Sequence, residues 1–189
     1  MKDNHLLNNE LLEMLVCPVC RNALDFKHGY LRCKNITCRA TYTIDEGIPI
    51  MIPPHKLTSD LELTLQKWGR SYYGASLAVD LEHDRYPQDS NRFICQYVNF
   101  RRKGIYFEAG CGLAKNALLL ARNDFKVVGL DICIGALTKA KKIFQRENKI
   151  AFFVCGDMTY MSFKDNLFST IYAAGHFGHL FITWEKNKI

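Results

Sequence analysis

Ile105-Tyr-Phe-Glu108-Ala-Gly110-Cys-Gly112-Leu-Ala-Lys115 is the stretch that decides the fold. An apolar run ends in an acid, turns on two glycines and passes directly into 113–122 (LAKNALLLAR), which has helical patterning. A strand, a glycine turn and a helix in this order let a ligand lie against bare backbone. Glycine takes positive φ and has no Cβ to hold the ligand away. The helix N-terminus beyond it presents N–H groups without intrahelical partners.

Two further strands extend the pattern. Lys126-Val-Val-Gly-Leu-Asp131 is apolar and ends in an acid placed 21 residues after Gly110. An acid there can accept hydrogen bonds from both hydroxyls of a ribose. Ile150-Ala-Phe-Phe-Val-Cys155 follows and ends at Gly156-Asp157-Met158. Three successive strands thus finish at an acid, and ligands of open α/β sheets bind at that carboxyl edge.

Glu108-Ala-Gly-Cys-Gly, Leu130-Asp131 and Cys155-Gly-Asp157-Met158 together resemble the first three motifs of class I S-adenosylmethionine-dependent methyltransferases. The resemblance implies a Rossmann-like α/β sheet. It also implies a cofactor set of Glu108, Gly110, Gly112, Asp131, Ile132, Asp157 and Met158. In that set the glycine turn lies under the methionine part, Asp131 holds the ribose hydroxyls, Asp157 binds the adenine amino group and Met158 packs on the adenine face. Ala114 stands where the family often has a third glycine. The rival is a dinucleotide site or a ligand-free α/β unit. The dinucleotide pattern needs a small residue at 115, where this chain has Lys115.

The 189 residues allow one or two domains, and 48% hydrophobic content is enough for packed cores. No run approaches the roughly 20 apolar residues of a membrane span, and the polar N-terminus carries no secretory pattern. The expectation is a cytoplasmic protein without a membrane partner. Its eight cysteines then suggest metal ligands or free thiols before disulfides. The formal charge of +6 comes wholly from residues 61–189, with eighteen basic against twelve acidic side chains. Arg101-Arg102-Lys103 is the densest cluster, and Lys139, Lys141 and Lys142 follow on the second helix. The basic face admits nucleic acid as a partner, although no aromatic-interleaved stripe accompanies it.

Cys17-Pro-Val-Cys20 and Cys33-Lys-Asn-Ile-Thr-Cys38 are two short pairs separated by twelve residues. Two such pairs on tight turns, joined by a hairpin of Leu24–Phe26 and Tyr30–Arg32, offer four thiolates to a tetrahedral Zn2+. Four unmetallated thiols are the alternative. A module this small has little core, so a metal would supply much of its folding energy. His28 and His55 are nearby substitutes as ligands. Residues 11–20, with Tyr42 and Asp45-Glu-Gly47-Ile-Pro49-Ile-Met-Ile52, resemble the Trm112-like zinc-ribbon family, whose members occur alone as methyltransferase partners or fused ahead of methyltransferase domains.

Pro53-Pro54 opens a linker, and helices are expected over 61–72 and from Asp89 or Ser90 onward. Trp68, Tyr72 and Tyr73 either close the cofactor pocket or pack in the core. Residues 168–174 read as a fourth strand. His179 matches a His-Leu position of the methyltransferase resemblance, where it contacts the acceptor or caps the next helix. Ser169 replaces that motif's acid.

The organisation expected is a Trm112-like zinc ribbon over 1–54, a helical linker or cap over 55–103, and a partial S-adenosylmethionine-binding domain over 104–189. The resembled fold has seven strands in the order 3-2-1-4-5-7-6. This chain supplies strands 3-2-1-4, so a C-terminally truncated or split methyltransferase is expected. Its open fourth strand would invite self-association or a completing chain. The methyl acceptor, a small molecule by expectation, is not named by any residue. The alternatives are a non-enzymatic zinc-ribbon activator of another methyltransferase and an RNA methyltransferase.

Overall fold

A computed structural model describes residues 7–57, 61, 96, 98 and 104–173. The helices expected over 61–72 (beyond Leu61) and from 89 or 90, the residues Trp68, Tyr72, Tyr73, Arg101, Arg102 and Lys103, and His176 and His179 lie outside the described residues.

The chain begins with α1 (Asn9–Met14). Asn8 caps it, its Oδ1 accepting from Glu10 N at 2.8 Å and Leu11 N at 3.4 Å, and Glu10 suits the positive end of the helix dipole. Three short antiparallel strands follow: β1 (Leu24–Lys27), β2 (Tyr30–Cys33) and β3 (Thr41–Tyr42). The β1–β2 turn is the pair His28-Gly29, both at positive φ, a geometry that matches strand twist. A second hairpin, β4 (Ile44–Asp45) and β5 (Ile48–Pro49), turns on Glu46-Gly47 in the same way. A single 3-10 turn, Pro54–Lys56, closes this part.

The second part alternates strand and helix: β6 (Ile105–Ala109), α2 (Lys115–Arg122), β7 (Lys126–Asp131), α3 (Ile134–Arg146), β8 (Ala151–Cys155) and β9 (Thr170–Tyr172). All four strands are parallel, in the order β8-β7-β6-β9. Among the described residues this is the 3-2-1-4 order that the methyltransferase resemblance implied. The helix begins two residues later than its patterning suggests, because Ala114 sits at φ 52 and the chain is still turning there. β9 is shorter than the run 168–174. Phe168 leaves the strand to stack on Phe107 at 4.5 Å, and Ser169 donates through N and Oγ to Ile105 O.

Alternation along the strands gives the sheet two apolar faces, as expected of parallel strands covered on both sides. Tyr106, Val127, Phe153 and Cys155 face α2 and α3, packing with Leu118, Leu120, Leu137, Ile143 and Phe144. Phe107, Ala109, Val128, Leu130, Phe152 and Val154 face the other way. There they meet Leu11, Met14, Leu15, Leu24, Leu31, Tyr42 and Met51. The N-terminal module is therefore the second covering layer of the sheet. Phe163 ties the two together, pairing with Leu15 in an antiparallel bridge while its ring lies edge-on to Phe107 at 5.2 Å and to Phe168 at 5.1 Å. Lys126 pairs with Glu10 across the same junction, while Ile48, Ile52 and Glu46, whose O accepts from Lys141 Nζ, meet the helical layer. Among the described residues no helix is long and apolar enough to cross a membrane.

Candidate functional sites: a four-cysteine cluster and the carboxyl edge of the sheet

Cys17, Cys20, Cys33 and Cys38 come together with all four Sγ atoms within 4.8 Å of one another. Each pair sits on a tight turn. Arg21 N donates to Cys17 O and Cys17 N to Asn22 O, both at 2.8 Å, closing the first. Asn35 closes the second: its N donates to Cys33 Sγ at 3.4 Å, and its Oδ1 accepts from Thr37 N and Oγ1. Cys17 and Cys38 Sγ lie 3.8 Å apart, and Cys20 and Cys33 Sγ lie 3.3 Å apart. A tetrahedron with metal–sulfur bonds of about 2.3 Å has sulfur–sulfur edges of about 3.8 Å, so the donor set fits one zinc-sized ion. The Asn22 backbone N–H holds the Cys20 thiol down, at about 6, while burial pushes Cys33 up to about 12. A cation would displace the protons that burial retains. Tyr42 Oη lies 3.1 Å from the buried Cys17 Sγ, a hydrogen bond in which the phenol donates once the sulfur is ionised. His28 lies in the hairpin turn and His55 lies edge-on to Tyr160 at 5.5 Å; neither belongs to the cluster.

The second site is built from three strand ends. After β6 the chain turns with Gly110 at φ 67 and Gly112 at φ 52. Cys111 between them donates its N–H to Leu130 O at 2.9 Å, which seats the turn against β7. Gly129 makes room for it, since a Cβ there would lie 2.8 Å from Cys111 Sγ. Asp131, only 6% exposed, laces the edge together. Its Oδ2 accepts from Gly112 N and its Oδ1 from Cys133 N, both at 2.8 Å, while its carbonyl accepts from Gly156 N at 2.9 Å.

Glu108, 3% exposed, points from the end of β6 into the first turn of α2. It accepts from Asn116 Nδ2 at 2.8 Å and from Ala117 N at 3.0 Å. Burial pushes its carboxyl up to about 7 against these two bonds. Asp157 Oδ1 accepts from Thr159 N at 2.8 Å and Thr159 Oγ1 at 2.7 Å, closing a turn after β8. Met158 and Ile132 are half-buried, Met158 against the layer that holds the cysteine module and Ile132 against the helical layer. Among the described residues, the buried Tyr106 Oη has no hydrogen-bond partner. Glu108, Gly110, Gly112, Asp131, Ile132, Asp157 and Met158 thus all lie at the carboxyl ends of β6, β7 and β8. Asn116 was missed from sequence; its signal was its place on the first turn of a helix that follows a strand ending in an acid. Arg21, which bonds to the loop after β8, left no local signal at all.

Comparison with known proteins matches these two parts separately. A family model described as a methyltransferase domain matches residues 107–187, and one described as Trm112p-like protein matches residues 8–47. A UPF0434 protein of Methylobacillus flagellatus is 44% identical over 48 residues, covering 24% of this chain and 77% of that protein. One from Bordetella pertussis is 30% identical over 60 residues, covering 32% of this chain and 97% of that protein. Among solved structures, PH0226 protein from Pyrococcus horikoshii is 23% identical at a TM-score of 0.41, with 48% of this chain and 38% of that one covered. An S-adenosylmethionine-dependent methyltransferase from Clostridium acetobutylicum is 14% identical at a TM-score of 0.41, with 61% and 44% covered. The chain spans about two fifths of the length of these solved structures. By its N-terminal residues the chain belongs to the UPF0434 family, and it joins that Trm112p-like unit to a methyltransferase domain.

Proposed function

We propose that this methyltransferase domain binds S-adenosylmethionine at the carboxyl edge of β6, β7 and β8, and transfers its methyl group to a small-molecule acceptor. The observation that carries the reading is the Asp131 carboxylate. It is fixed by Gly112 N and Cys133 N, one on each oxygen, at the end of β7 beside the glycine turn, the place where an acid meets a ribose diol in α/β nucleotide sites. Gly110 and Gly112 leave the backbone bare for the methionine part. Asp157 and Met158 offer an acceptor and a polarisable side chain to the adenine, with Ile132 beside them. When bound, the cofactor supplies a methyl group already activated by its sulfonium sulfur. The chain's own residues then orient and desolvate, which is most of what this transfer needs. No general base is assigned, and His179 is kept as the candidate for acceptor contact.

Cys17, Cys20, Cys33 and Cys38 would hold Zn2+ as a closed, structural site, with all four positions filled by protein. Reduced thiols throughout the described residues suit a cytoplasmic location. β9 has no further strand beside it among the described residues, and Ile171 on it is 64% exposed. That supports self-association or a completing chain along this edge. The activator reading fares worse, because the apolar face that the N-terminal module would offer a partner enzyme is spent on its own sheet.

Calorimetric titration with S-adenosylhomocysteine tests the cofactor reading. Wild type should bind, and Asp131→Ala should weaken binding roughly 10- to 100-fold, the loss of hydrogen bonds to a charged group. A flat titration of folded wild-type protein would remove the enzyme assignment.

A further inference from the structure

We infer that Arg21 is a positioning residue for the adenine side of the cofactor site, holding the loop that carries Asp157 and Met158 from the metal-binding turn. The inference rests on the cofactor reading above. The loop from Gly156 to Ser169 has little regular structure of its own, and its anchors come from the N-terminal module. Val16 N donates to Ser162 O at 2.8 Å and Lys164 N to Met14 O at 3.0 Å, so Leu15 and Phe163 form an antiparallel bridge. Arg21 adds three bonds from one guanidinium. Nη1 donates to Met161 O at 2.6 Å, and Nη2 to Phe163 O at 2.8 Å and to Asp165 Oδ1 at 2.6 Å. A planar fork suits carbonyls on alternate residues, a geometry that a lysine cannot copy.

The position of Arg21 is itself fixed by the cysteine turn. It directly follows Cys20, lies at φ 63, and donates its N–H to Cys17 O at 2.8 Å. A non-glycine residue persists in that conformation only where its surroundings over-determine it. The other end of the loop is held from the same side. Met51 N donates to Cys155 O at 2.6 Å, one residue before Gly156. Tyr160, whose N–H donates to Asp157 O at 2.9 Å, has His55 edge-on to its ring and Lys56 Nζ 5.0 Å from the ring centroid. Asp157 and Met158 therefore lie on a span clamped on both sides by residues 14–56. Arg21 is the long-range clamp whose own backbone belongs to the cysteine turn.

The test uses zinc-loaded full-length protein titrated with S-adenosylhomocysteine and with its inosine counterpart, in which oxygen replaces the adenine amino group. Arg21→Ala should lower affinity for the adenosine compound about tenfold and narrow the preference for it over the inosine compound. Metal content should be unchanged. Arg21→Lys should fall between, since an ammonium reaches one carbonyl at most. Should Arg21→Ala fail to fold, Arg21→Lys decides: weaker binding with a narrowed preference supports the inference. A folded variant that matches wild type in both readouts overturns it. So does an equal loss for both compounds, the mark of a merely structural clamp. No binding by wild type overturns the cofactor reading, and this inference with it.

Discussion

The cysteine cluster and the carboxyl edge are both made of turns, but they are assembled in opposite ways. The four thiols come from one stretch, 17–38, on two turns closed by their own backbone and asparagine contacts. The edge draws Glu108, Asp131 and Asp157 from three strand ends, and only a formed parallel sheet brings them level. On the zinc reading proposed above, the cluster draws its stability from an ion, while the edge draws its own from a core. The shared apolar layer links the two requirements. The face of the sheet formed by Phe107, Val128, Leu130 and Val154 is dry only while the cysteine module covers it. The cysteine module thus bears on the edge through this shared layer as well as through Arg21.

Metal removal is the harshest way to break that link. Structural zinc contributes on the order of 10 kcal/mol in small modules. Chelation, or Cys17→Ser, should melt the α/β part in the same transition as the cysteine module. Scanning calorimetry checks this, and two independent transitions would mean that the sheet does not depend on its cover. Phe163→Ala attacks the junction from the other side. The ring touches Phe107 and Phe168 and is almost fully buried, so its loss should cost about 3–5 kcal/mol in urea unfolding. A cost near that of a surface change would deny the junction its role.

Glu108 gives the edge a pH response of its own. Its native carboxyl keeps a proton up to about 7, whereas the ordinary value is 4.5. Between these values the native state binds more protons than the unfolded chain, so stability falls as pH rises through the window and levels above it. The full span is up to about 3 kcal/mol. Glu108→Gln should flatten that slope in denaturation curves taken across the window, and an unaltered slope would place its cause elsewhere. The smallest effect belongs to Ala114→Gly. Relief of a left-handed conformation, about 1 kcal/mol, is offset by one lost buried methyl, about 0.8 kcal/mol. The thermal midpoint should barely move, and a large drop would show that the methyl matters more than the turn.

Ala114 also shows where sequence reading needed coordinates. The resemblance flagged it as an alanine in a glycine's place; the positive φ explains why glycine is common there. Asn116 was within reach, because a polar residue on the first helical turn after a strand-ending acid has that acid as a neighbour. Arg21 was not, since its partners lie some 140 residues further along the chain.

What the sequence determined by itself were the features written in short-range pattern. Strand–turn–helix periodicity, acids at strand ends and paired cysteines fix their neighbours within a few residues; they named the candidate residues of both sites, and the family resemblance they carry implied the strand order. What only the tertiary structure decided is that the cysteine module is the missing layer of the sheet rather than an appendage. Apolar burial has no direction and no sequence address, so which face covers which is settled only when both are folded.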